Sequence, residues 1–186
     1  RNPVFYVSSS PWNIYDVITE FMDLQHVPRG PLILRDWDLA IGSRASSRHF
    51  DHKGVAIRRI LEMYPSLPFI LIGDTSQHDP EIYRAIVAAF PERIRAIYIR
   101  DVTRDAVRSA AVRALGEEII AARSVLVLAE DTLGVATHAA EQGWIAVDSL
   151  ERVRDDKQED EGKKGEKVAT PDGGERGTGA PPTVVQ

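Results

Sequence analysis

Five residues carry most of the chemistry this sequence can offer: Ser8, Ser9, Lys53, Asp74 and Asp79. Ser8-Ser9-Ser10 leads into Pro11 and a helical pattern. A helix start there would be an anion site, because its first N–H groups lack partners and lie at the positive end of the dipole. The plainer reading of the same residues is a turn and a cap. Lys53 stands near another helix start, where a cation is disfavoured. A phosphate partner would explain that placement, although a solvated surface lysine is the commoner case. Asp74 ends the run Phe69-Ile-Leu-Ile-Gly73-Asp74, where Gly73 is read as letting the backbone turn sharply. Its carboxylate either pairs locally or serves as a Mg²⁺ ligand, since Mg²⁺ takes one or two carboxylates with waters and phosphate. Asp79-Pro80-Glu81 reads as an N-cap with proline at the first helical position, and a supporting role in a metal shell would be additional.

Other polar groups make weaker cases. His49, His52 and His78 lack a convincing third and fourth ligand, which argues against zinc. Asp36-Trp37-Asp38 follows an apolar run as a nucleophile pair would, but Leu39-Ala40 stands where Thr or Ser is needed, and the serine strand precedes it. Asp101, after Arg100, and Asp131 both end strand patterns, where they touch substrate or pair with a neighbour.

These residues need strands that end together and helices that start there. Short apolar runs at Val4–Val7, Leu32–Leu34, Phe69–Ile72, Ile94–Ile99 and Val125–Leu128 read as buried strands. Helical spacing runs from Pro11 to Met22 with Ser10 as cap, from Lys53 to Pro65, and from Pro80 to Phe90. Further helices run from Thr103, as cap, to about Ala122, and through Val135 and Ala139 to Gln142. Residues 35–50 read as an irregular loop or cap element. The alternation predicts an α/β fold with a mainly parallel, Rossmann-like sheet and helices on both faces. In such sheets ligands sit at the carboxyl ends of the strands, where Asp74 falls.

Length and composition bound the rest. The chain has 186 residues, room for one sizeable core plus a tail. The domain is placed at residues 1–150. From Glu151 to Gln186 charged residues, Gly and Pro replace large apolar ones, so 151–186 is expected to be a disordered tail, with any protein partners of it unknown. The formal charge of −5 gives no basic field, which excludes bulk-charge-driven nucleic-acid binding. Cysteine is absent, which removes thiolate nucleophiles, disulfides and cysteine-held zinc. No apolar run approaches the roughly 20 residues a bilayer span needs. No signal peptide is visible, and the abrupt start at Arg1 suggests a piece of a longer protein.

Ser8, Lys53, Asp74 and Asp79, in that order and each at a strand end or helix start, resemble the haloacid dehalogenase superfamily of phosphohydrolases. Longer strings narrow this. Phe5-Tyr-Val-Ser-Ser-Ser-Pro-Trp-Asn13, Leu34-Arg-Asp-Trp37, His52-Lys53, Ile72-Gly-Asp-Thr-Ser-Gln-His-Asp-Pro-Glu-Ile-Tyr83 and Ala96-Ile-Tyr-Ile-Arg-Asp-Val102 resemble the catalytic domain of the phosphatidate phosphatase (actin-patch protein) family. The likeness covers about Asn2 to Asp148. It implies Mg²⁺-dependent hydrolysis of phosphatidate to diacylglycerol and phosphate through an aspartyl-phosphate. By the same resemblance Ser8 and Ser9 hold the phosphoryl group and Lys53 neutralises its charge. Asp74 ligates Mg²⁺, and Asp79 supports the metal shell or Lys53. The lack of cysteine fits a reducing, cytoplasmic location, with peripheral membrane contact expected; Trp37 and Phe50 either dip into a bilayer interface or are covered by a cap.

One departure is large. The superfamily's Asp-x-Asp-x-Thr motif ends a central strand upstream of the serine strand, and no such motif occurs in these 186 residues. The expectation is that the central nucleophile strand is missing, that the sheet keeps an unpaired slot, and that this chain alone turns over no substrate. Two alternatives remain: a catalytically degenerate binding or scaffold module, and a phosphatase of the same superfamily acting on a soluble phosphomonoester.

Overall fold

The structure, a computed structural model, describes residues 2–35 and 51–168. The strands are β1 (Tyr6–Pro11), β2 (Leu32–Arg35), β3 (Phe69–Asp74), β4 (Ile94–Arg100) and β5 (Val125–Ala129). The helices are α1 (Tyr15–Leu24), α2 (Asp51–Met63), α3 (Asp79–Ala89), α4 (Ala106–Ala121), α5 (Thr132–Glu141) and α6 (Ser149–Val168). The chain divides into two units, residues 1–135 and 136–186, with the boundary inside α5. Asp36, Trp37, Asp38, His49 and Phe50 lie outside the described residues.

Among the described residues every strand pairing is parallel, in keeping with the α/β alternation, and the strands form two sheets. Strand β1 pairs with β2, setting Tyr6 against Leu32 and Val7 against Ile33. Strand β4 lies between β3 and β5, with Tyr98 beside both Ile72 and Val127. The sheets come near each other at one end: the Phe5 ring stands 6.4 Å from that of Phe69 and 5.5 Å from that of Tyr64. No ladder joins β1 to β3 among the described residues, so each keeps an edge.

Strand β4 is central and covered on both faces, so its Ala96, Ile97, Tyr98 and Ile99 are all buried and its sequence reads as a continuous apolar run. Strand β3 is an edge and alternates, with Phe69 and Leu71 against the core and Ile72 69% exposed. The core joins Ile57 and Leu61 of α2, Tyr83, Ile86 and Val87 of α3, Ile97 and Ile99 of β4, and Val112 and Ile119 of α4. Within each helix these residues recur three, four or seven apart, as one buried face requires. Two polar ties fix the layers. The Tyr83 hydroxyl donates to the Ile72 carbonyl at 2.8 Å, locking α3 to β3. Arg93, just before β4, donates to the carbonyls of Leu61 (3.1 Å), Tyr64 (2.6 Å) and Leu67 (3.0 Å), closing the carboxyl end of α2.

Several boundaries differ from expectation. Ser10 does not cap a helix: its N–H is taken by Ser8 Oγ at 3.1 Å, Pro11 is extended, and α1 begins only after a short 3-10 turn at Trp12–Ile14. Asp105, not Thr103, caps α4, accepting from the Arg108 N–H at 2.6 Å. Thr103 is drawn instead to Thr75 and Asp101.

In the 136–186 unit, the His138 and Trp144 rings meet edge to face at 6.0 Å. Residues 151–168, expected from composition to lack order, form most of α6. Charged residues with good helix propensity, and opposite charges four apart such as Arg152 and Asp156, favour a helix even without an apolar face. Residues 169–186 lie outside the described residues. No helix among the described residues is long and apolar enough to cross a membrane.

Candidate active site

The carboxyl end of β3 delivers the Asp74 carboxylate, and the turn Thr75–His78 leads into α3, whose first residue is Asp79. Proline at Pro80 suits that start because its missing N–H would have no partner there. Asp79 nevertheless does not cap the helix: His78 holds the cap position, and no side chain caps it. The Asp79 carboxylate turns inward, 4% exposed, and accepts from Lys53 Nζ at 2.6 Å. Its other oxygen accepts from the Asp74 N–H at 3.4 Å.

Gly73 makes this geometry possible, and not through a sharp turn. It sits within β3, paired with Ile99, and has no left-handed φ. A Cβ there would lie 2.5 Å from Asp79 Oδ2 and 2.7 Å from Asp79 Cβ, so only glycine lets the carboxylate lie against the strand.

Lys53 stands in the first turn of α2, 8% exposed, where a cation alone would be costly. Asp79 offsets that cost. Gln77 Oε1 accepts a second proton of the ammonium at 2.8 Å. Gln77 is not among the residues that type and spacing single out; its signal in the sequence is its place between the two carboxylates in the Ile72–Tyr83 string. Asp74 Oδ1 accepts from the Ser76 N–H at 2.8 Å and the Ser76 hydroxyl at 2.5 Å.

A cavity of about 300 Å³ opens here, lined by Ser9, Lys53, Ser76, Gln77, His78, Asp79 and Ile82. It brings together Ser9, Lys53 and Asp79 of the sequence-selected residues. Ser8 and Asp74 are not on its wall. Ser8 Oγ is turned to its own strand, donating to Ser10 Oγ at 3.0 Å. A cation, a hydroxyl and amide groups around a space of this size suit a tetrahedral oxyanion. For a divalent metal the fit is partial. Asp74 is a hard oxygen donor at a strand tip, which accords with a Mg²⁺ held mainly by water and phosphate. No group of three or more His, Asp or Glu that could hold a metal occurs among the described residues.

Beneath the site, Asp101 at the end of β4 gathers the Thr75 hydroxyl (3.2 Å), the Arg104 N–H (3.1 Å) and the Ser109 hydroxyl (2.5 Å). The Ser109 bond above all holds its carboxyl below the usual range. Burial, aided by the negative charges of Asp79 and Asp74, pushes the Tyr83 phenol well above its ordinary value, so it stays a neutral donor.

Comparison with known proteins places these residues in context. The model of the family described as phosphatidate phosphatase APP1, catalytic domain, matches residues 1–101, just over half of the chain. The phosphatidate phosphatase APP1 of Saccharomyces cerevisiae is 34% identical over 96 residues, which is 52% of this chain and 16% of that protein. An uncharacterized protein of Schizosaccharomyces pombe is 32% identical over 106 residues, 55% of this chain and 17% of that protein. The chain thus spans about a sixth of the length of these curated relatives. No solved structure matches it.

Proposed function

The chain belongs to the phosphatidate phosphatase APP1 catalytic-domain family, and on that premise we propose that it is the phosphate-holding part of a phosphohydrolase whose substrate is phosphatidate. The observation that carries this reading is the buried Lys53 ammonium, held by Asp79 and Gln77 at the wall of a cavity that Ser9 also lines. The roughly 300 Å³ available suits a phosphomonoester head and leaves acyl chains outside.

In this reading Lys53 offsets the charge that builds on the phosphoryl oxygens, while Asp79 and Gln77 fix the direction of its N–H bonds. Ser9, on the cavity wall, supplies hydroxyl and backbone donors, and the Ser8 hydroxyl, donated to Ser10 in this structure, must rotate to join them. Asp74 is the carboxylate that would hold Mg²⁺, whose charge would screen the phosphate from the surrounding carboxylates. The attacking aspartate belongs to an Asp-x-Asp-x-Thr strand outside these residues, taken up between the edges of β1 and β3 as in the haloacid dehalogenase-like fold. The phosphoryl group would pass to that aspartate as its P–O bond to diacylglycerol breaks, with the motif's second aspartate protonating the leaving oxygen, and then to water. The chain alone is therefore inactive, and the full-length protein acts from the cytoplasm at a membrane surface.

The absence of that motif from the sequence favours a second reading, a degenerate module that binds phosphate without turnover. The deciding experiment measures phosphate release by the full-length protein from phosphatidate in mixed micelles and from soluble phosphomonoesters, with and without Mg²⁺. Release from phosphatidate that requires Mg²⁺ and falls at least a hundredfold in Lys53→Met supports the proposal, on the scale of losing a transition-state charge partner. Faster release from soluble esters moves the substrate class. No release at all, with intact motifs, leaves the binding module.

A further inference from the structure

The turn between Asp74 and Asp79 is held from outside by α4. Arg108 Nε donates to the Thr75 carbonyl at 3.2 Å, and Nη2 donates to the Gln77 carbonyl at 2.8 Å. The same guanidinium grips both oxygens of Glu81, with Nη2 3.0 Å from Oε2 and Nη1 bonded to Oε1. A guanidinium is planar, so a carboxylate held two-pronged fixes the direction of every remaining N–H. Its backbone is fixed too, through the N–H that Asp105 caps. The pair is mutually reinforcing: bonding to Arg108 holds the Glu81 carboxyl below its ordinary range.

We infer that Arg108 is a positioning residue for the site, setting the turn that places Gln77 against Lys53. Two carbonyls on either side of Ser76 are drawn toward α4, which leaves the Ser76 N–H facing Asp74 and the Gln77 amide facing Lys53. Without the guanidinium those carbonyls lose the donors that α4 supplies to the turn. Arg108 lies beyond residues 1–101 that match the family model, and no motif in the sequence points to it. Lysine is no substitute, because a single ammonium cannot serve two carbonyls and a carboxylate in one plane.

The turnover consequence rests on the proposed phosphohydrolase reading; the ordering of the turn does not. The test therefore uses two readouts on the full-length protein, comparing wild type with Arg108→Gln and Arg108→Lys. Hydrogen exchange is followed in peptides covering residues 75–78, and phosphate release from phosphatidate is resolved into kcat and KM. The expected result is faster exchange confined to that turn and a kcat lower by roughly tenfold to a hundredfold at unchanged KM, the scale of a misplaced catalytic group. The lysine variant should recover little of either. Unchanged exchange at 75–78 overturns the inference, whatever the activity. Faster exchange with unchanged kcat overturns the positioning role. A silent wild type whose turn still loosens in Arg108→Gln sinks the phosphohydrolase reading and supports the clamp. Should Arg108→Gln fail to fold, Glu81→Gln gives the same comparison, with a smaller loss expected because both carbonyl bonds remain.

Discussion

The Asp79 carboxylate occupies the space a side chain on Gly73 would need: Oδ2 lies 2.5 Å from where the first carbon would stand. Gly73 is in a strand and Asp79 opens a helix, and the carboxylate lies directly on the strand. Strand, helix and ion pair are therefore one packed unit. Gly73→Ala must push Asp79 away from Lys53, since the obstructing atoms include the Asp79 Cβ and cannot simply rotate aside. We expect a loss of about 1–3 kcal/mol in urea unfolding, the usual cost of overpacking. In the full-length protein a matching loss of phosphate release is expected. An alanine variant as stable as wild type would show that Asp79 moves at no cost.

Lys53 and Asp79 side chains are 10% and 5% exposed, so each offsets the cost of taking the other out of water. Lys53→Met leaves a buried carboxylate and should cost roughly 3–5 kcal/mol in urea unfolding. Adding Asp79→Asn removes the stranded charge and keeps an acceptor for the Asp74 N–H. Most of the lost stability should return, while activity of the full-length protein should not. Recovery of both would mean that the pair serves the fold alone.

Arg93 closes the end of α2 by donating to the Leu61 carbonyl in its last turn and to the Tyr64 and Leu67 carbonyls just beyond it. Arg93→Ala should cost about 2 kcal/mol, since bonds from a charged donor exceed neutral ones but water can reach part of this site. That corresponds to a melting temperature lower by roughly 4–8 °C in a chain of this size. Arg93→Lys should fall between the two. A melting temperature equal to wild type in the alanine variant would remove Arg93 from the account of α2.

Asp101 sets an acid limb of stability. Its folded pKa lies below the ordinary 3.8, chiefly through the Ser109 hydroxyl and then the Arg104 N–H and the two threonines, against an opposing effect of burial. A lowered carboxylate pKa contributes stability that is present above the unfolded value and is lost as pH falls through the folded one. Asp101→Asn should therefore be less stable than wild type near neutral pH, with the gap closing below about pH 4. Urea midpoints measured at about pH 7, 5, 4 and 3 read this directly. A gap that stays constant over that range would assign the loss to packing instead.

Much of the fold was legible because it follows from local pattern. The apolar runs at β3, β4 and β5 and the three-to-four spacing of Tyr83, Ile86 and Val87 mark strands and helix faces before any tertiary contact exists. Asp74 was legible as a strand-end carboxylate for the same reason. Caps were less legible. Asp79 and Thr103 have the right chemistry to cap a helix, but long-range partners, Lys53 for one and Thr75 for the other, compete for their oxygens. The split into two sheets accords with the unpaired slot that the family resemblance implies, whereas apolar periodicity alone does not say which edges meet.

The sequence by itself determined the family, the parallel α/β alternation and the identity of the residues at strand tips, because these depend on residue type and spacing. Only the tertiary structure decided which of those residues meet. Lys53 and Asp79 are 26 positions apart, and Arg108 reaches a carbonyl 33 positions away at Thr75. Such contacts are fixed by how α2, α3 and α4 pack around β3 and β4. A hydrogen bond spanning that distance leaves no periodic trace in the chain, and so the clamp on the site appears only once the fold is built.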